Sequence, residues 1–216
     1  MLELVIKALL AYMLGSVNGA LLVGRLYGGV DIRKTGSGNA GGTNAFRTQG
    51  SVFALNTVVI DVGKGFLPAW ILPGLLLPGL VSTSELDLMI GPALYGAAAV
   101  LGHCYPLWHG FRGGKGAATM IGAYIALAPI LLLPVLLAWV VVLLLFGYVG
   151  VATMGAGLAA PVYMLLMGLQ DSQMPLFAFT ASCAVFLVFT HRSNIQRLRE
   201  GTEHCMFPRA LLRKKS

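Results

Sequence analysis

The feature that most constrains this chain is the run from Ile121 to Gly147, which holds no charged side chain and is interrupted mainly by glycine and proline. A helix of about 20 apolar residues crosses the hydrocarbon core of a bilayer, where every backbone polar group must find its partner within the protein. The run needs either a bilayer or the centre of a large globule. Composition excludes the globule: of 216 residues, 57% are hydrophobic and 11% charged, with a mean hydropathy of +0.80, against about 25% charged residues in a soluble domain. The fold class read from this is an all-α integral membrane protein.

Hydrophobic runs near 2–24, 52–80, 88–108, 116–132, 134–149, 151–168 and 174–190 read as spans. The stretch 116–168 could hold two long spans or three short ones, and Pro129 and Pro134 favour a turn there, hence about seven transmembrane helices. Arg25, Arg33, Lys34 and Arg47 mark the segment 25–50, Arg112 and Lys115 mark 109–116, and seven more basic residues follow Thr190. The positive-inside rule puts all three segments in the cytoplasm. The opposite loops, around 81–87 and 169–173, carry Glu85, Asp87 and Asp171 but no lysine or arginine. Seven spans with the N-terminus outside and the C-terminus cytoplasmic satisfy this asymmetry; six would put 109–116 and the basic tail on opposite sides. No linker or repeat divides the chain, so residues 1–216 read as a single polytopic domain with active-site loops near 25–50, 109–116 and 190–216.

Glu3 and Lys7 sit early in the first run, and no small-residue cleavage site leads into a soluble domain, so 2–24 reads as a retained helix. Cys104, Cys183 and Cys205 are scattered, without metal or disulfide spacing. The net charge of +7 lies in loops between apolar runs, a pattern of topology determinants and anionic-lipid contacts that does not suggest nucleic acid.

The three basic segments share a chemistry. The first reads Gly36-Ser37-Gly38-Asn39-Ala40-Gly41-Gly42-Thr43-Asn44-Ala45-Phe46-Arg47. Its glycines let successive N–H groups converge on a phosphate, Ser37, Asn39, Thr43 and Asn44 add neutral hydrogen bonds, and Arg47 offers a planar fork. The second, Gly102-His103-Cys104-Tyr105-Pro106 and then Gly110 to Thr119, has the look of a P-loop, but Gly116 follows Lys115 where the hydroxyl residue should stand, so no Walker-type NTPase is implied. Lys115 remains, at the entrance of a helix whose N-terminus favours an anion. In the third, His191 and Asn194 would share a face if the last helix continues through them. Asp61 and Lys64, inside the second span, would form an ion pair or line a site.

These segments resemble those of the acyl-phosphate:glycerol-3-phosphate acyltransferase family, over nearly the whole length and including Gly15-Ser16 and Asp61-x-x-Lys64-Gly65. Asn18 departs from the proline common in the family, which touches the bend of the first helix. The resemblance implies transfer of a fatty acyl group from acyl phosphate to the 1-hydroxyl of glycerol 3-phosphate, giving lysophosphatidic acid and phosphate, the first step of phospholipid synthesis. It implies no metal or other cofactor, no acyl carrier protein, and a place in the bacterial cytoplasmic (inner) membrane with the site facing the cytoplasm. Its polar site falls on Ser37, Asn39, Arg47, Lys115, His191 and Asn194. Arg47 and Lys115 are expected to bind phosphate, Ser37, Asn39 and His191 to arrange hydroxyl and donor, and Asn194 to orient the glycerol phosphate; Thr43 and Asn44 join the substrate-binding set. The donor's own phosphate could take the proton in place of His191. A transporter of an organic anion is the alternative, opposed by the absence of an inverted repeat.

Overall fold

A computed structural model describes residues 1–77 and 85–206, and among them every regular element is helical. In chain order these are α1 (Leu2–Gly15), α2 (Gly19–Leu26), α3 (Gly42–Gln49), α4 (Ser51–Ile71), α5 (Glu85–Cys104), α6 (Ala117–Leu127), α7 (Leu132–Phe146), α8 (Val149–Leu166), α9 (Met174–Thr190) and α10 (Arg192–Arg199), with short 3₁₀ turns between some of them. Residues 78–80 of the second expected span, 81–84 of its loop and 207–216 of the basic tail, with Arg213, Lys214 and Lys215, lie outside the described residues.

Each expected span falls on a helical segment, but the segments are unequal. Five are long and apolar enough to cross a bilayer: Ser51–Gly74, Glu85–His109, Pro129–Phe146, Val149–Leu166 and Asp171–Thr190. A sixth exists if α1 and α2, bent by 45°, count as one span. The bend has a local cause. Asn18 is extended, and its side-chain oxygen accepts the Leu21 N–H at 3.1 Å, so a new helix starts there. The helix α6 has only 11 residues, against about 20 for a full crossing. It ends at Ala128, and a 3₁₀ turn from Pro129 to Leu131 precedes α7, which is the turn expected from Pro129. Pro134 sits in the first turn of α7, where a missing N–H costs nothing.

The chain divides into two compact units, Met1–Pro129 and Ile130–Ser216. In the first, α1 packs along α5, and α4 packs along α5 and α6 with α2 and α3 against it. Small residues permit this closeness: a methyl group at Gly15 would strike the backbone of Ala99, and one at Gly122 the backbone of Val62. Val23, Ile32, Ala40, Ala45 and Phe53 form a buried apolar cluster that seats the first glycine-rich segment on α2 and α4. In the second unit α7 packs on α8, α8 on α9, and α10 against both α8 and α9. Leu133, Leu136, Leu137, Val140 and Leu144 are exposed along α7, a surface that suits lipid and not water.

One charge lies elsewhere than expected. Asp87, read with Glu85 as part of an outer loop, is like Glu85 in the first turn of α5, and it is fully buried. Lys7 of α1 reaches it at 2.6 Å and Glu3 at 2.7 Å, and the Tyr95 hydroxyl donates to the same Asp87 carboxylate. A buried carboxylate requires partners of this kind, and α1 supplies the cation.

Candidate active site

The first unit brings the first two polar segments together. After α2, the glycine-rich segment turns through Gly36 and Gly38, both at positive φ (56° and 70°), a region open to glycine. Asn44, 2% exposed in the first turns of α3, organises it. Its side-chain oxygen accepts the Ser37 N–H at 2.9 Å, and its NH2 group donates towards the carbonyls of Ile32, Thr35 and Asn39 at 3.0–3.1 Å. The Asn44 amide, expected to meet substrate, is thus committed to the shape of the loop. Ser37, Thr43 and Arg47 are exposed and Asn39 is half-buried, so four of the polar side chains of this segment stay at its surface.

Arg33, counted from sequence only as a topology charge, ties this segment to the next. Its guanidinium pairs with Asp31 at 2.9 Å and donates to the carbonyls of His109 at 3.0 Å and Arg112 at 3.3 Å. The hydrogen bonds from Arg33 hold the Asp31 carboxyl below its ordinary range. The second segment folds back on the end of α5: the N–H groups of Gly113 and Gly114 donate to the carbonyls of Cys104 and His103, both at 3.1 Å. Lys115, half-buried, then stands just before Gly116, the N-cap of α6, as expected. A methyl group at Gly114 would meet the His103 ring and lie 2.8 Å from the Ala40 carbonyl oxygen. The two turns therefore meet at Ala40 and Gly114, the positions next in sequence to Asn39 and Lys115.

Beneath the turns lies the expected Asp61–Lys64 pair, at 2.9 Å and almost wholly buried. The same carboxylate oxygen, Oδ1, accepts the Gly19 N–H at 3.0 Å and faces His103 Nδ1 at 3.3 Å, while Lys64 Nζ donates to the Val17 carbonyl at 2.8 Å. Carboxylate and ammonium thus meet the backbone on either side of Asn18, at the α1–α2 break. Asn18 also donates to the Ala40 carbonyl at 3.2 Å, so the departure at this position reaches the first segment and not the helix bend alone. Asn18, Arg33 and His103 were not legible as supports of the turns; their polar chemistry in apolar or glycine-rich surroundings was the available signal.

In the second unit, α9 stops at Thr190, and His191 links it to α10 with φ −93° and ψ 10°. The last helix therefore does not run through to Asn194. His191 and Asn194 still meet, because the His191 carbonyl accepts the Asn194 N–H at 2.8 Å. His191 Nδ1 faces the Leu187 carbonyl at 2.8 Å. A carbonyl only accepts, so Nδ1 carries the hydrogen and Nε2 holds the lone pair of the neutral ring. Asn194 donates to Glu203 at 2.7 Å, and Arg197 pairs with the other oxygen of that carboxylate at 2.6 Å. Among the described residues no group of three or more His, Cys, Asp or Glu is placed to hold a metal ion.

Residues 5–201 match the family model described as glycerol-3-phosphate acyltransferase. The chain is 38% identical over 199 residues to a glycerol-3-phosphate acyltransferase of Coxiella burnetii, covering 92% of this chain and 96% of that protein. It is also similar to two crystal structures of PlsY (YgiH), an integral membrane glycerol 3-phosphate acyltransferase. The glycerol 3-phosphate form aligns with a TM-score of 0.79 at 31% identity, over 97% of this chain and 98% of that one. The lysophosphatidic acid form aligns with a TM-score of 0.77 at 31% identity, over 94% of each chain.

Proposed function

The chain belongs to the glycerol-3-phosphate acyltransferase family, and we propose that it moves a fatty acyl group from acyl phosphate to the 1-hydroxyl of glycerol 3-phosphate, without an acyl carrier protein. The enzyme class follows from the family; the donor, the residue roles and the setting are the proposal. The hydroxyl oxygen attacks the acyl carbon, the bond from that carbon to the phosphate oxygen breaks, and lysophosphatidic acid and inorganic phosphate result. An acyl phosphate is a mixed anhydride with a good leaving group, so the protein's task is to hold two anions in line and offset their charge.

The observation that carries this reading is the meeting of two glycine-rich turns in the first unit, with Asn39 on one and Lys115 on the other. Arg47 and Lys115 take phosphate, while exposed backbone and the Ser37, Asn39 and Thr43 side chains place donor and hydroxyl. Asn44 acts through the loop it shapes. His191, with its lone pair on Nε2, receives the hydroxyl proton, and Asn194, aimed by Glu203, orients the glycerol phosphate. The setting is the bacterial cytoplasmic membrane, with these turns and the C-terminal segment facing the cytoplasm, the N-terminus outside, and both the bent α1–α2 pair and the short α6 counted among seven passes.

The test is to incubate purified protein with glycerol 3-phosphate and palmitoyl phosphate in the presence of a chelator, and to follow both products. Equal amounts of lysophosphatidic acid and phosphate are expected. Phosphate alone would reduce the activity to donor hydrolysis, and neither product from folded protein would contradict the proposal and favour an anion transporter.

A further inference from the structure

The Asp61–Lys64–His103 cluster is not used by the reaction described above, yet Asp61 is 1% exposed and His103 3%. Charge buried at membrane depth is costly and, once one partner is lost, the other is stranded. An ordinary ion pair between α4 residues would need only Asp61 and Lys64. Instead, a single carboxylate oxygen meets three elements: the first N–H of α2, the Lys64 ammonium of α4, and the imidazole at the end of α5. Two of those elements lead directly into the glycine-rich turns. Asn18, beside the Gly19 held by Asp61, donates to the Ala40 carbonyl of the first turn. His103 touches the second turn twice, since its carbonyl accepts the Gly114 N–H and its ring fills the space a side chain at Gly114 would need.

We propose that His103, held by Asp61, is a positioning residue for glycerol 3-phosphate binding: its ring sets the spacing between the Ala40 turn and the Gly113-Gly114-Lys115 turn. It touches no substrate. The Asp61 carboxylate lies 3.3 Å from Nδ1 at one edge of the ring, and the far edge abuts Gly114. The turn that carries Lys115 then rests on a wall that Gly113 and Gly114, having no side chains, approach closely.

This inference rests on the proposed function, and affinity separates the two. In the full-length protein in detergent, His103→Asn retains an amide near Nδ1 for Asp61 and removes the far edge of the ring. Its dissociation constant for glycerol 3-phosphate, measured by calorimetry, should rise about tenfold, the lower range seen when an orienting partner is removed, while kcat at saturation changes far less. His103→Gln restores an amide near the far edge and should bind more tightly than His103→Asn. Should both misfold, Asp61→Asn, which can still accept the Gly19 N–H, should show the same loss of affinity. Unaltered affinity in any folded variant, or losses that track only the folded fraction, would overturn the proposal. If the unaltered protein binds glycerol 3-phosphate but forms no lysophosphatidic acid, the proposed reaction fails and the affinities still decide the role of His103. No binding by the unaltered protein overturns both.

Discussion

Replacing Asn44 with aspartate changes one NH2 group into one oxygen and keeps the size of the side chain. The retained Oδ1 can still accept the Ser37 N–H. The new oxygen faces the carbonyls of Ile32, Thr35 and Asn39, where two hydrogens were shared among three acceptors. Each lost bond is worth about 1 kcal/mol net, and a buried acceptor left unsatisfied costs about 1–3 kcal/mol. Two lost hydrogens therefore disfavour the observed loop by about 2–4 kcal/mol, which at about 1.4 kcal/mol per factor of ten lowers kcat/KM on the order of 30- to 700-fold. The helices around it should be unaffected, because the cluster of Val23, Ile32, Ala40, Ala45 and Phe53 does not depend on the amide alone. The assay is lysophosphatidic acid formation at varied glycerol 3-phosphate, alongside circular dichroism and the elution profile in detergent. A folded Asn44→Asp protein within threefold of the unaltered enzyme would refute the claim that this side chain shapes the loop.

Three further outcomes follow from the same geometry. Lys7→Met strands the carboxylates of Glu3 and Asp87 and should cost about 3–5 kcal/mol in reversible unfolding in mixed micelles; adding Glu3→Gln, Asp87→Leu and Tyr95→Phe should recover most of it, and an unaffected single variant contradicts the network. The Asp31 carboxyl is depressed when folded, so its contribution to stability is full above the unfolded value of about 3.9 and falls as pH drops through the folded value. The difference in thermal midpoint between the unaltered protein and Asp31→Asn should therefore shrink as the pH falls below about 4; a constant difference counts against the pair. In a Cys205→Ser background, Asp171→Cys should react with an impermeant maleimide on intact cells and Gln49→Cys only after permeabilisation, and the reverse pattern would invert the proposed topology.

Much of the membrane architecture is readable along the sequence because hydropathy is a local property. The turn at Pro129, the start of α6 just after Lys115, and the Asp61–Lys64 pair need only neighbouring residues. What was not legible depends on residues far apart. Asp87 looks like a loop charge until Lys7, 80 positions earlier, is found beside it. Arg33 looks like a topology signal until it reaches His109 and Arg112 on another segment. The end of α9 at His191 was hidden for a different reason, since the polar residues after it are equally compatible with continuation or a cap. Within the glycine-rich segment, residue type does not reveal that Asn44 spends its amide internally.

The most direct measurement uses glycerol 3-phosphate labelled with oxygen-18 in its 1-hydroxyl, palmitoyl phosphate as the sole acyl donor, and mass spectrometry of both products. Label retained in the ester of lysophosphatidic acid, with unlabelled phosphate released in equal amount, is the predicted result. Lysophosphatidic acid formed without the label, or phosphate released with no lipid product, would contradict acyl transfer to that hydroxyl.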